Sequence, residues 1–452
     1  MKYSGSMWIR KISWLWALCL GAGLSVYAQP SGNSPYSRFG IGDLVPEQFA
    51  PSVGMGGLSA AYQPLIHLNL VNPASYGSLR VASFQVGLRG GHTQLTDAQG
   101  REGSVWAGNL NSLALGFPLR NPNNAIFDGK RKAFKMGMAF ALTPYSRANY
   151  DLRETTSSPA TGESITESFV GTGSTYRLQG GWGFKYNNWS GGFNLGYFFG
   201  SLNNQRQVLF NEDIGNAFNA DFTDELSFGG AHYRLGAQYR LYLGDPDPNA
   251  AEGVESRRES IVFGVYGNGN TDFTAIASQT YLGRGLTTGT DTVFVAEEAE
   301  RAGRLPGTLG FGVHYERLNK LRLGIEYVRS GWQDYLNEAR PETLKNSYRL
   351  AAGVEYIPNL ASYNRYRDRV HYRAGAYYGT DPRGGSTELT EFGISLGAGL
   401  PIQRRNQATS FIDLALEVGR FGNEDLLQQT YVRLSVGFSL NDNSWFLNRK
   451  FN

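Results

Sequence analysis

Phe134-Lys135-Met136-Gly137-Met138-Ala139-Phe140-Ala141-Leu142 puts a large apolar side chain at every second position, with small or polar residues between. A period of two is the period of a β-strand, whose successive side chains point to opposite faces. The pattern recurs on both sides of this stretch. Tyr176, Leu178, Trp182 and Phe184 form one phase, and Trp189, Phe193, Leu195, Tyr197 and Phe199 another. Leu321, Leu323, Ile325 and Tyr327 alternate with Arg322, Gly324 and Glu326, and Val432, Leu434, Val436, Phe438 and Leu440 repeat the theme near the end.

Read along the whole chain, the alternation predicts strands at 82–90, 110–119, 133–143, 174–186, 189–201, 231–243, 260–270, 307–316, 320–330, 347–357, 369–380, 389–400, 409–420 and 430–440. That is an even number, fourteen. The gaps after even-numbered strands average about 9 residues and those after odd-numbered strands about 21, the asymmetry of short periplasmic turns and long external loops. Two further pieces, 205–210 and 272–282, read as extensions above the membrane; counted as spanning strands they would make sixteen. The segments suit a tilted membrane strand of about 9–11 residues better than a globular strand of about 5–6. Their polar phase is rich in Gly, Ser, Asn, Arg and Glu, as a lumen requires. The expected fold is all-β: a transmembrane antiparallel barrel of about fourteen strands over residues 82–440, followed by a tail at 441–452.

Composition agrees. The 452 residues are 41% hydrophobic, 13% aromatic and only 18% charged, with 58 Gly. Such aromatic content excludes disorder, and the absence of a long apolar run beyond the N-terminus excludes a bundle of membrane helices. Lys2, Arg10 and Lys11 precede an apolar stretch from Ile12 to Val26, and Val26-Tyr27-Ala28 is a small-x-small cleavage pattern, so residues 1–28 read as a secretory signal peptide. Its removal leaves 39 bases against 39 acids and takes away Cys19, the only cysteine. A neutral chain without thiols offers no thiolate metal site and argues against nucleic acid as a partner.

Between the leader and the first strand lie residues 29–81, with little alternation. A fourteen-stranded barrel is wider than side chains alone can fill, so a compact N-terminal hatch is expected in the lumen. The Gly-rich run Gly54-Met55-Gly56-Gly57-Leu58-Ser59-Ala60-Ala61, followed by Asn72-Pro73-Ala74, resembles the hatch of the FadL/TodX family of outer-membrane transporters for hydrophobic compounds. Leu309-Gly310-Phe311-Gly312 and Gly324-Ile325-Glu326-Tyr327 resemble that family's mid-barrel hairpin. PorV-like barrels, which assist type IX secretion, share the hatch motif. The resemblance implies uptake of hydrophobic small molecules such as long-chain fatty acids, with Asn72, Pro73 and Ala74 gating transport and sideways exit beside a kinked third strand. Gly137 is the candidate for that kink, although a small lumen-facing residue is the simpler reading of it. Alternatives are a secretion accessory with a secretion-system partner, or a diffusion channel for polar solutes. The implied location is the Gram-negative outer membrane, with bilayer lipid and a hydrophobic ligand as partners. The tail after Leu440 departs from barrels that end on the aromatic residue of their last strand.

Enzyme motifs fail on context. Gly393-Ile394-Ser395-Leu396-Gly397 has nucleophile-elbow spacing but lies inside a strand rather than at a strand-to-helix turn. Asp245-Pro246-Asp247-Pro248-Asn249 begins like a calcium loop, yet Ala250 and Ser256 stand where Gly and Glu are needed. Glu297, Glu298 and Glu300 read as a solvated loop, and His67, His92, His232, His314 and His371 have no ligand spacing. No catalytic residue, metal or cofactor is expected.

Overall fold

The computed structural model describes residues 34–121, 124, 133–157, 164–210, 218–244, 259–285, 289–385, 387–403 and 408–445. The leader read at 1–28, the stretch 245–249 and the end of the tail lie outside them. The barrel begins with β1 (Ala82–Asp97), β2 (Glu102–Pro118), β3 (Phe134–Ser157), β4 (Ser164–Tyr186), β5 (Trp189–Phe210) and β6 (Phe218–Leu243). β7 runs in two pieces, Glu259–Asn268 and Thr271–Gly285, and β8 likewise, Gly289–Leu305 and Thr308–Arg317. β9 (Leu321–Ser330), β10 (Ser347–Tyr356), β11 (His371–Asp381), β12 (Leu389–Ile402), β13 (Ser410–Asn423) and β14 (Leu427–Asp442) complete it.

Each strand pairs antiparallel with its neighbours in chain order, and β14 returns to β1 with Leu427 opposite Asp97 and Asp442 opposite Ala82. Closure leaves no sheet edge for another chain to pair with along that junction. The wall therefore has the fourteen strands that alternation predicts. The pieces at 205–210 and 272–282 belong to β5 and to the outer half of β7, so they lengthen strands rather than add any. Glu297, Glu298 and Glu300, expected in a loop, stand on the outer half of β8, Glu300 opposite Ile276 of β7 and the other two in the register shift between Ala296 and Ala299.

β3 to β6 span 24, 23, 22 and 26 residues, far beyond the expected segments. Past the apolar belt both faces of a hairpin meet water, so alternation fades while the backbone ladder continues. Within the belt the outward phase is apolar and bare. Leu178, Leu195, Leu235, Ile325, Ile394 and Leu396 are each more than half exposed. A continuous surface of this kind belongs against lipid tails. The inward phase carries Arg177, Arg234, Arg240, Glu316, Glu326, Glu355, Arg373 and Asp413, all buried against residues 34–81 or against each other.

Candidate functional site

Residues 34–81 lie inside the barrel, and the inward glycines explain how they fit. A Cβ on Gly137 of β3 would stand 2.0 Å from the Tyr76 carbonyl oxygen, and one on Gly264 of β7 2.0 Å from that of Ala60. On Gly353 of β10 it would stand 2.3 Å from the Met55 carbonyl oxygen, and on Gly192 of β5 2.5 Å from Pro73. Backbone of the inner segment thus seats directly on backbone of the wall, which a side chain at these positions would prevent. Ser395 of the elbow-like motif is one more seat. It is fully buried, and its Oγ accepts the Gly56 N–H at 3.0 Å.

Asn72, Pro73 and Ala74 sit together in this packing. Asn72 is fully buried and caps the 3-10 helix Pro73–Ser78 by accepting the Ala74 N–H at 3.1 Å. Its Nδ2 donates to the Ala60 carbonyl at 2.6 Å and to the Val265 carbonyl of β7 at 3.2 Å, tying the inner segment to itself and to the wall. Glu326 of β9 accepts the Ala60 N–H at 2.8 Å and the neighbouring Ser59 N–H.

Charges fasten the same region. Glu47 is shared by Arg177 of β4 and Arg234 of β6. A belt of alternating sign follows the wall. Arg240 meets Glu316 at 2.6 Å, and Arg322 bridges Glu316 and Glu355 at 2.7 Å each. Arg373 bridges Glu355 and Asp413, again at 2.7 Å, and Asp413 meets His67 of the inner segment at 2.9 Å. Gln63 closes the other end, its Oε1 accepting from Arg240 Nη2 at 2.9 Å. Each charge of this belt thus has an opposite partner, without which burial would be costly.

Residues 34–45 do something different: they complete the wall. β2 and β3 pair only from Leu113 opposite Leu142 to Pro118 opposite Gly137. Beyond that both strands continue, but apart, and the free edge of β3 is taken by the inner segment. Asp43 and Leu44 pair antiparallel with Arg147 and Ser146, Val45 N–H donates to the Tyr145 carbonyl at 2.9 Å, and Ser34 N–H to the Asn149 carbonyl at 2.9 Å. Gly42, at φ 95°, allows the approach, since a Cβ there would stand 2.4 Å from the Arg147 carbonyl oxygen. Across the remaining seam Arg147 Nη2 donates to the Leu110 carbonyl at 2.9 Å.

The register break of β3 falls between Pro144 and Ser146, whereas Gly137 keeps unbroken register with Gly183 and Pro118. Pro144 has no N–H to give a ladder, and β3 takes a register shift against β4 there, just past Leu142, the last residue paired with β2. That proline was the legible signal, because a proline within a strand belongs at an unpaired edge.

Against the seam lies an apolar layer of the lumen. Ile41 and Ala148 from the two sides of the strap join Phe198, Leu226, Phe228, Phe273, Leu305 and Trp332 in one buried cluster. Phe198 and Phe228 stand edge-on to Phe273, at 5.9 and 5.6 Å between ring centres. The lumen thus carries an apolar cluster beside the seam, bordered by the Glu47 and Asp43 ion pairs.

A closed fourteen-stranded barrel with an apolar outer belt, a lumen occupied by its own N-terminal segment and a seam beside β3 is a plugged β-barrel. The sequence matches the BamG family over residues 8–452, and the chain belongs to that family. No curated protein sequence matches it. Among solved structures, the Pseudomonas putida toluene transporter TodX superposes with a TM-score of 0.55 at 16% identity, covering 88% of this chain and 99% of that one. A Pseudomonas aeruginosa FadL homologue gives 0.54 at 14% identity over 90% and 100% of the two chains. The CymD monoaromatic hydrocarbon channel gives 0.53 at 15% identity over 88% and 97%. At these identities the likeness establishes a shared fold.

Proposed function

We propose that this protein is an outer-membrane barrel for the uptake of hydrophobic small molecules, which reach the apolar layer of the lumen and leave sideways through the seam between β2 and β3. The observation that carries the reading is the seam itself: it lies against Phe198, Phe228 and Phe273, and backbone pairing with residues 34–45 covers the free edge of β3. A straight path to the short-turn end would cross the inner segment and the belt of ion pairs, where an apolar solute gains nothing. A sideways path ends in the bilayer, worth roughly 0.8 kcal/mol per buried CH2. Two of the fold relatives are described as a toluene transporter and a monoaromatic hydrocarbon channel, which supports an apolar cargo. Within the reading, Asn72, Pro73 and Ala74 hold the inner segment against the wall and set how easily it rearranges.

Because the only cysteine is Cys19, a disulfide can be introduced cleanly after the leader. Leu44→Cys with Ser146→Cys joins residues already paired across the strap. Uptake of radiolabelled toluene and of dodecanoate into cells carrying the oxidised pair is expected to fall at least tenfold and to return on reduction. Undiminished uptake with the strap locked would remove the lateral route, and the ratio of the two labels separates aromatic hydrocarbons from fatty acids as cargo.

A further inference from the structure

The two broken strands of the wall break at one height. Thr308 of β8 stands opposite Asn268 of β7 on the inner side of the gap, and Leu305 stands opposite Thr271 on its outer side. Over the same stretch β6 has no pairing with β7 between Gly229 and Leu235. Around this gap lies a notch of about 710 Å3, lined by Leu235, Ala237 and Leu309, which are exposed on the outward face.

The register explains the notch. Leu235, Gly267, Leu309 and Arg329 stand side by side on neighbouring strands from β6 to β9, all on the face that meets lipid. Gly267 leaves that row bare in its middle, and a Cβ there would stand 2.6 Å from the Thr308 carbonyl oxygen. The floor of the notch thus continues the apolar belt.

Its rim is polar and already fixed. Gln333 donates its N–H to Asn346 Oδ1 at 3.1 Å and accepts from Asn346 Nδ2 at 3.1 Å. Asn268 Nδ2 donates to the Gly269 carbonyl at 2.9 Å, and Asp334 accepts from Asn270 Nδ2 at 3.1 Å. Arg329 is held by nothing: it is exposed, and among the described residues it makes no hydrogen bond or ion pair. Tyr327 and Tyr348, whose rings stack at 6.5 Å, place it at the level of an interfacial girdle, where a lipid head group can meet it.

Three chemistries therefore converge on one notch. The floor suits an acyl chain, the amides and the Asp334 carboxylate suit hydroxyl groups, and the guanidinium suits a phosphate. A phospholipid would leave the amide rim unused, and a free sugar phosphate would leave the floor unused.

We infer that this notch holds a phosphorylated glycolipid of the leaflet at the long-hairpin side, one acyl chain on Leu235, Ala237 and Leu309, its sugar at the amide rim and its phosphate on Arg329. The notch is on β6 to β9, away from the seam between β2 and β3, so this inference and the uptake reading can fail separately.

The test incubates the full mature chain, purified in detergent and stripped of lipid, with equal amounts of monophosphoryl lipid A, its dephosphorylated form and phosphatidylglycerol, and counts retained lipid by native mass spectrometry. Retention of monophosphoryl lipid A at least tenfold above either of the others is expected. Arg329→Gln should bring it down to the level of the dephosphorylated form. Ala237→Phe, which fills the floor from the lipid side, should cut it severalfold, and both variants should keep the heat-modifiable migration of the folded barrel. In cells, a photoreactive benzoylphenylalanine in place of Leu309 should attach to glycolipid. Equal retention of phosphatidylglycerol or of the dephosphorylated form, retention unchanged in either variant, or capture of a protein at position 309 would overturn the inference.

Discussion

Residues 34–45 and residues 49–79 belong to one continuous segment, yet the barrel holds them by different means. The later part is seated where wall glycines admit its backbone, and it is tied by Asn72, Glu326 and the ionic belt. The earlier part is held by side chains and by strand pairing rather than by seats on wall glycines: Tyr36 packs with Leu389, Phe421 and Tyr431, and Ile41 joins the apolar cluster. Its backbone pairs with the edge of β3, and on the opposite wall Arg383 meets Asp43 and Arg340 Nη2 donates to the Arg38 carbonyl at 2.6 Å. Packing against backbone has no looser intermediate, because interiors are close-packed. A few ladder bonds can part and re-form while the rest stays put. The contrast predicts that the strap parts from the wall more readily than the later part does.

Five single substitutions, the first also combined with a compensating change, test this division in order of expected effect. Glu47 joins the two parts, and Glu47→Ala leaves Arg177 and Arg234 buried beside each other; a loss of about 3–5 kcal/mol is expected in urea titrations of the folded barrel. Arg177→Met combined with Glu47→Ala should recover part of it. Gly264→Val drives a side chain into the Ala60 carbonyl and is expected to cost about 1–3 kcal/mol, with new trypsin cleavage inside 49–79. Cleavage confined to 34–45 would instead reverse the assignment of the rigid part.

Asn72→Ala removes the helix cap and both carbonyl contacts, leaving the Val265 carbonyl without that donor. A cost of about 1–2 kcal/mol is expected, with a smaller rise in protease access than Gly264→Val gives. Val45→Pro deletes the donor to Tyr145 at the strap. Stability should change by only about 1 kcal/mol, whereas hydrogen exchange at Asp43 and Leu44 and passage of toluene should rise severalfold. A large loss of stability without faster exchange would show that the strap is part of the rigid body.

The smallest effect concerns pH. Burial pushes the Glu342 carboxyl above the ordinary glutamate range, against the opposing influence of Arg340 and of the Gly40 N–H that it accepts. The folded state then holds a proton that the unfolded state has released, so the strap's anchorage is strongest below the ordinary glutamate value and weakens as pH rises through the raised one. Protease access to residues 34–45 should increase over that window in the natural chain and stay flat in Glu342→Gln.

The wall was largely legible because its physics is local. An outward residue faces lipid and an inward one does not, so the run from Phe134 to Leu142 declares a spanning strand without reference to any other. Strand ends were legible only to the edge of the belt: β4 begins at Ser164, ten residues before its alternation does. The site was less legible. Asn72-Pro73-Ala74 could be picked out, but not the glycines that receive it. Gly264, Gly353 and Gly192 look like any other small lumen-facing residues until the inner segment is in place. Gly137, more simply read as a small lumen-facing residue than as a kink, serves close approach, and the register break of β3 lies at Pro144.

The sequence by itself determined an antiparallel transmembrane barrel of fourteen strands and a segment available to fill it. Periodicity and gap length are properties of neighbouring residues, and the bilayer imposes them strand by strand. Only the tertiary structure decided where the wall is unpaired, which residues cover the gap, and which inward side chains gather into the apolar cluster beside it. Those are relations between residues far apart in the chain, such as Asp43 with Arg147 and His67 with Asp413, and no local pattern encodes which distant backbone will arrive at a given glycine.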